Sequence, residues 1–204
     1  MQTLVLVRHG ATTWNDNGYF QGHKDVPLNE RGREQADALG RLLDGQNFDR
    51  IFASPLSRAQ ETARRVAGEP EILPDLIELD RGHWEGHVGD EIRRRWGKLW
   101  KAWYEDPAGL AMPGGEAFDD LWERAGHLLT TLEESGAESI LACGHKGINR
   151  VLIARALDRP TEGIWQIPQP QVSRSVLVRD AAGKWRAEIL GDVSHLPPEL
   201  RSDS

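Results

Sequence analysis

The stretch LVLVRHG, residues 4–10, decides the fold and the site. An apolar run rich in branched residues that ends at a glycine is typical of a buried strand whose last side chains reach a loop. In open α/β sheets, ligands bind at the carboxyl ends of the strands. The stretch therefore predicts a guanidinium and an imidazole at a ligand-binding edge. There Arg8 can hold a phosphoryl oxygen while His9 attacks the phosphorus.

Strand and helix patterns alternate along the rest of the chain. This alternation predicts one α/β domain over residues 1–204, with three α/β/α layers and a mainly parallel mixed sheet. Pro74 interrupts one strand pattern and predicts a sheet edge there. We expect residues 87–115 to form a lid over the site and 195–204 a loose tail. Further strands are expected at 50–53, 72–79, 139–143, 173–179 and 185–190, and helices at 29–44, 55–67, 88–105, 116–134 and 147–157.

The composition narrows the class of protein. The 204 residues carry a net charge of −7 with acidic and basic residues interspersed, which disfavours binding to nucleic acid through a broad basic face. The single cysteine, Cys143, excludes an internal disulfide and suits a reducing compartment. The first strand begins at once, and no segment reaches the ~20 apolar residues of a membrane span. We therefore expect a cytoplasmic protein with no signal peptide and no membrane partner.

Three further segments carry chemically active residues. They are SPLSRAQET at 54–62, ELDRGHWEG at 78–86 and GHKG at 144–147. With LVRHGATTWN at 6–15, they follow one another in an order and spacing that resembles the histidine phosphatase superfamily, the phosphoglycerate-mutase-like proteins. The resemblance runs from residue 4 to about residue 155. The segments DVPLNERG at 25–32 and PGGE at 113–116 support it.

The chemistry of a phosphomonoester explains these residue types. The ester carries close to two negative charges, so in-line attack needs that charge to be clamped. Arg8 and Arg58 suit this because a planar guanidinium grips two oxygens at once. Neighbouring arginines also lower the pKa of His9 and favour the neutral, nucleophilic imidazole. The resemblance implies that His9 becomes a phosphohistidine that water hydrolyses, and that His145 adds a third donor to the phosphoryl group.

The leaving alkoxide needs a proton, and Glu78 is the candidate donor. In the second step the same carboxylate could act as a base toward water. Asp80 and Glu85 are nearby alternatives, although the family's Glu-x-x-x-Gly spacing favours Glu78.

The remaining candidates line the expected phosphate pocket. Asn15, Gln21 and Gly22 match the family's loop after the first histidine, where amide and backbone groups can bind phosphate. Lys146 stands where family members often have glycine. We expect its extra positive charge to influence the choice of substrate.

The sequence thus predicts metal-independent hydrolysis of a small phosphomonoester, without a cofactor and without a bound metal. The substrate classes left open are sugar phosphates, phosphoglycerates and ribazole phosphates, and the oligomeric state is also open. One alternative is phosphoryl transfer of the phosphoglycerate mutase type. Mutases are typically longer after the acid, whereas about thirty residues separate Gly86 from Glu116 here. A third hypothesis is an inactive phosphate-binding module, and the presence of His9 and Glu78 argues against it.

Overall fold

A six-stranded mixed sheet organises residues 1–201, the part of the chain that the computed structural model describes. The strand order is β3-β2-β4-β1-β5-β6. Strands β1 to β4 are parallel, β5 runs antiparallel to β1, and β6 pairs antiparallel with β5. The strands are β1 (Gln2–Arg8), β2 (Arg50–Ala53), β3 (Glu71–Ile72), β4 (Ser139–Gly144), β5 (Arg174–Arg179) and β6 (Trp185–Asp192).

The α-helices connect and cover these strands. The Asn29 side chain caps α2 by accepting a hydrogen bond from the Gly32 N–H. Helix α4 is kinked at Trp96, whose φ is −130° and ψ is 36°. The helices are α1 (Thr13–Asp16), α2 (Glu30–Leu42), α3 (Ser57–Val66), α4 (Gly89–Glu105), α5 (Phe118–Glu134) and α6 (Lys146–Ala156).

Strand β1 shows why the fold has three layers. Its side chains alternate between the two faces of the sheet. Leu4 and Leu6 lie in a core cluster with residues of α5 and α6, whereas Val5 and Val7 lie in a second cluster with residues of α2 and α3. Helices therefore cover both faces, and the predicted α/β/α fold class is confirmed.

The prediction of a strand over 72–79 is wrong in its length. Strand β3 covers only Glu71–Ile72, although it lies at the sheet edge as expected. Pro74 has no N–H to extend the ladder, and it opens a 3₁₀ turn at Pro74–Leu76 instead. This turn leads the chain toward the carboxyl ends of the strands.

The segment expected to be a loose tail differs from that expectation in its described part, residues 195–201. Leu196 is only 1% exposed. The carbonyl of Leu200 accepts a hydrogen bond from Gln35 Nε2 at 2.7 Å, and that of Arg201 accepts one from Arg31 at 2.8 Å. An apolar side chain and two backbone acceptors therefore hold this segment against α2. Residues 202–204 lie outside the described residues.

Residues 1–201 contain no candidate for a membrane-spanning helix. None of the helices there combines the length and the apolarity that crossing a bilayer requires.

Candidate active site

The register of β1 and β4 brings the two predicted histidines together. The strands are parallel neighbours that end level, with Arg8 opposite Gly144. The His9 N–H donates to the Gly144 carbonyl at 3.1 Å. The imidazole rings of His9 and His145 have their centroids 5.0 Å apart, and both side chains are buried.

The His9 ring is held in one tautomer. Its Nδ1 lies 2.7 Å from the Gly10 carbonyl oxygen. Because a carbonyl only accepts hydrogen bonds, Nδ1 carries the proton and Nε2 keeps its lone pair. Burial, followed by the charges of Arg58 and Arg8, lowers the pKa of His9 well below its usual range. His9 is therefore a neutral imidazole with a nucleophilic nitrogen available.

Arg8 presents part of its guanidinium without a partner. Its Nη1 donates to the Gln169 carbonyl at 2.6 Å, while its buried Nε has no hydrogen-bond partner within residues 1–201. Burial lowers the pKa of Arg8 to about 9, an effect that the charge of Glu78 opposes. The side chain remains a cation at neutral pH, with a donor left for an anion.

Arg58 is anchored by the loop after the first histidine. Its Nη1 donates to the Lys24 carbonyl at 2.9 Å and its Nη2 to the Gly22 carbonyl at 2.8 Å. Its Nε donates to His145 Nδ1 at 3.3 Å. Burial lowers the pKa of Arg58 to about 10. The loop thus fixes this cation in contact with His145.

Both ring nitrogens of His145 are engaged by protein groups. Nδ1 accepts from Arg58, so Nε2 carries the proton and donates to Ser54 Oγ at 2.7 Å. Burial, followed by Arg58, lowers the pKa of His145 well below its usual range. A direct hydrogen bond from His145 to a phosphoryl oxygen stays a prediction.

Glu78 is held at the amino end of α6. Its Oε1 accepts from the N–H groups of Leu79 at 2.8 Å and Ile148 at 3.2 Å. The Gly147 N–H lies 3.0 Å from both carboxylate oxygens. A carboxylate is stabilised at this position by the partial positive charge of the helix amino terminus. A Cβ on Gly147 would lie 2.3 Å from Oε1, so the close approach requires glycine there.

The two alternative acids are occupied elsewhere. Asp80 Oδ1 accepts from the Gly82 N–H, and Glu85 Oε1 accepts from the N–H groups of Gly22 and Lys24. Neither Asp80 nor Glu85 lines the cavity described next, whereas Glu78 does. The geometry therefore favours Glu78 among the three carboxylates.

A cavity of about 710 Å³ opens at this edge of the sheet. Six predicted site residues line it, whereas Arg58, His145 and Gly22 are not among the lining residues. The six are Arg8, His9, Asn15, Gln21, Glu78 and Lys146.

The loop residues divide into two groups. Asn15 and Gln21 accept hydrogen bonds from Thr12 through their side-chain oxygens, and the buried Gln21 Nε2 has no partner within the described chain. Gly22 is different, because its N–H donates to Glu85 and its carbonyl accepts from Arg58. Gly22 therefore orients Arg58 and does not face the cavity, which corrects the expectation that its backbone lines the pocket.

Among the residues that line the cavity and that sequence reasoning missed are Arg81, Tyr104 and Arg150. Arg150 follows Lys146 by four positions on α6, and this spacing places both side chains on one helix face. That spacing was a usable signal, whereas nothing in the local sequence pointed to Tyr104. Burial, followed by the charges of Arg8, Arg150 and Arg81, lowers the pKa of Lys146 to about 7.

No metal-binding cluster is present in this part of the molecule. Across residues 1–201, the structure contains no group of three or more His, Cys, Asp and Glu side chains that could hold an ion.

Comparison with known proteins identifies the family of the chain. The model of the histidine phosphatase superfamily, branch 1, matches residues 4–193, so the chain belongs to this superfamily. It is 35% identical over 167 residues to the adenosylcobalamin/alpha-ribazole phosphatase of Escherichia coli strain K12, a match that covers 79% of this chain and 82% of that protein. It is 34% identical over 179 residues to the probable 2-carboxy-D-arabinitol-1-phosphatase of Arabidopsis thaliana.

The extent of these matches differs. The second match covers 85% of this chain but only 37% of the length of the Arabidopsis protein. Among solved structures, a putative alpha-ribazole-5'-P phosphatase from Escherichia coli superposes with a TM-score of 0.84 at 31% identity, covering 94% of this chain and 97% of the other. The fold therefore extends over nearly the whole of that structure.

Proposed function

We propose that this chain is a metal-independent phosphomonoesterase that hydrolyses a small phosphorylated metabolite through a phosphohistidine on His9. The observation that carries the proposal is the tautomer of His9. Its Nδ1–H is bound to the Gly10 carbonyl, so Nε2 can attack without first losing a proton. Phosphatase activity of the named relatives supports the same reaction class.

In the first step, His9 Nε2 attacks phosphorus and the P–O bond to the leaving group breaks. Arg8, with its unpartnered Nε, binds a phosphoryl oxygen, and Arg58 adds positive charge from behind the histidine pair. This step requires Glu78 as the carboxylic acid in the substrate complex, and the acid passes its proton to the departing alkoxide. Oε2 suits this transfer because it accepts only the Gly147 N–H, whereas Oε1 accepts three N–H groups.

In the second step, water attacks the phosphohistidine. Glu78, now a carboxylate, accepts the proton of that water. The N–P bond breaks, inorganic phosphate is released, and His9 returns with its lone pair on Nε2. Splitting one displacement into two easier ones is the general benefit of covalent catalysis.

The remaining groups have supporting roles in this proposal. Asn15 and Gln21 offer amide donors to the phosphate, and the segment 87–115 covers the site, with Tyr104 at the cavity wall. Substrates of the sugar phosphate, phosphoglycerate and ribazole phosphate classes fit a cavity of this size, since pockets of roughly 300–1,000 Å³ accommodate small organic ligands.

Phosphate release from a generic aryl phosphate and a panel of metabolites, measured with a chelator present, tests the proposal. We expect His9→Ala to lower kcat/KM by about a thousandfold or more, because no other group replaces the nucleophile. His127→Ala is the matched control, since His127 is exposed on α5. An acid-labile phosphoryl group on His9 should be detected by mass spectrometry in the wild type.

Other outcomes lead to different conclusions. Activity that survives in His9→Ala excludes the phosphohistidine route, and activity that the chelator abolishes excludes a metal-independent one. If His9 transfers its labelled phosphate to a second metabolite and not to water, the reaction is phosphoryl transfer of the mutase type.

A further inference from the structure

The cavity wall carries far more positive than negative charge. Four cationic side chains line it, against the single carboxylate of Glu78. This local excess opposes the chain's net charge of −7. The four cations are Arg8, Arg81, Lys146 and Arg150.

Three of these cations lack an anionic partner in the protein. Within residues 1–201, neither Arg81, Lys146 nor Arg150 forms an ion pair with a carboxylate. Arg81 is only 8% exposed, and its buried Nε has no hydrogen-bond partner there. Arg81 is buried, and Lys146 and Arg150 are half-buried. A cation that is withdrawn from water without an anionic partner is costly, so three of them at one cavity indicate a place where an anion binds.

Separate elements hold these side chains in place. Arg81 lies three positions after Glu78, and its guanidinium lies 5.5 Å from the centroid of the Phe20 ring. Arg150 projects from α6, where its Nε donates to the Ile167 carbonyl at 2.7 Å. The charges are close enough to act on one another, since the charge of Arg81 contributes to lowering the pKa values of both Lys146 and Arg150. The positions are therefore built into the fold.

The phosphoryl contacts of the proposed reaction use only one of the four cations that line the cavity, Arg8. In the proposed reaction the transferred phosphoryl group binds at Arg8 and His9, with Arg58 behind them. The cavity of about 710 Å³ leaves room for the rest of a metabolite beyond that group.

We propose that Arg81, Lys146 and Arg150, with Tyr104 beside them, form a second anion-binding site that takes a carboxylate or a second phosphate of the substrate. The inference rests on the proposed function and narrows its substrate class to phosphomonoesters that carry another anionic group. Guanidinium groups suit this purpose because they bind carboxylate and phosphate oxygens in a bidentate manner.

Matched pairs of substrates test the second site. Phosphoserine differs from phosphoethanolamine by one carboxylate, and fructose 1,6-bisphosphate differs from fructose 6-phosphate by one phosphate. We expect the wild type to favour the more anionic member of at least one pair by about tenfold or more in kcat/KM, mainly through KM. The pair that shows the preference identifies the anion as carboxylate or phosphate.

Variants then assign the preference to the residues. Arg81→Met and Arg150→Met should each reduce it several-fold, and Arg150→Lys should retain part of it. The exposed Arg94, also on a helix but outside the cavity wall, provides the matched control Arg94→Met. A wild-type ratio near one for both pairs overturns the proposal, and so does an equal loss on both members of the preferred pair in the variants.

Failure of the second site is distinguishable from failure of the proposed function. His9-dependent hydrolysis of the aryl phosphate with ratios near one rejects the second site alone. For an enzyme without turnover, calorimetric titration of His9→Ala with the same pairs measures the preference as a ratio of Kd values. Equal Kd values in that titration also reject the site.

Discussion

Two buried histidines that stay neutral define the chemistry at the scale of single residues. The hydrogen bond of His9 to the Gly10 carbonyl selects the tautomer, and burial beside Arg58 and Arg8 disfavours the imidazolium. Hydrogen bonds to Arg58 and Ser54 also hold His145 in one tautomer, with its proton on Nε2. A group whose pKa is lower in the folded chain than in the unfolded chain takes up its proton preferentially on unfolding. Acid should therefore destabilise this site.

His9 should contribute a measurable part of that acid sensitivity. Its pKa lies well below the ordinary value of 6.5, so stability falls as the pH drops below about 6.5. Between pH 6.5 and 5.5 we expect the wild type to lose about 1 kcal/mol more free energy of unfolding than His9→Asn. Urea unfolding at both pH values measures this difference. Parallel behaviour of the two proteins would contradict a neutral His9, and the exposed His127→Asn should match the wild type.

At the scale of secondary-structure elements, the amino end of α6 holds the proposed acid, Glu78. The first backbone N–H groups of this helix hold the Glu78 carboxylate, and its side chains at positions 146 and 150 supply two cations. One helix therefore serves both the proposed proton donor and the proposed second anion site. The edge strand β3 contributes by ending early, which lets the following turn carry Glu78 to the cavity.

Replacing Gly147 should separate activity from stability. A Cβ at this position would lie 2.3 Å from Glu78 Oε1, a distance that forces the carboxylate to move. We expect Gly147→Ala to lower kcat by about tenfold or more, because a displaced acid loses its alignment with the leaving group. Aryl phosphate kinetics and circular dichroism measure activity and folding.

The matched control is Gly97→Ala on α4, where an added Cβ meets no atom within 4 Å. This variant should keep full activity, and its Tm should not fall, since alanine favours helix over glycine. Full activity of Gly147→Ala would show that the position of Glu78 is not required.

At the scale of the whole molecule, one buried glutamine connects segments that are distant in sequence. Gln35 on α2 accepts from the Ala11 N–H at 2.9 Å and donates to the Leu200 carbonyl at 2.7 Å. The loop that follows His9 is thereby linked through the helical layer to the described carboxyl-terminal segment. Stability of the site loop consequently depends on packing that lies outside the cavity.

Removing this link should destabilise the protein. Gln35→Met keeps the volume but leaves the buried Ala11 N–H without its partner and removes the shorter hydrogen bond to the Leu200 carbonyl. The Leu200 carbonyl keeps a longer hydrogen bond from Arg31 at 3.4 Å, so the unpaired Ala11 N–H is the main cost. We expect a loss of about 2 kcal/mol in the free energy of unfolding, measured in urea. Gln46→Met, at an exposed position, should stay within about 0.5 kcal/mol of the wild type. An unchanged stability of Gln35→Met would mean that water replaces both hydrogen bonds.

Residues that are adjacent in sequence carried most of what could be predicted. The run at 4–10 gave β1 and the Arg8–His9 pair, and the run at 139–143 gave β4. Arg81 and Arg150 escaped because an arginine after a loop or on a helix is ordinary unless its surroundings are known. The short β3 escaped because the apolar pattern over 72–79 does not reveal where Pro74 ends the pairing.

By itself, the sequence determined the strand–helix alternation, the α/β class and the positions of the reactive side chains, because these depend on local periodicity and on motifs of neighbouring residues. Only the tertiary structure decided which of these side chains face the cavity. The register of β1 against β4 sets His9 beside His145, and the amino end of α6 selects Glu78 over Asp80 and Glu85. Burial and unpaired charge are properties of the packed chain, so the cationic lining of the cavity is visible only in the tertiary structure.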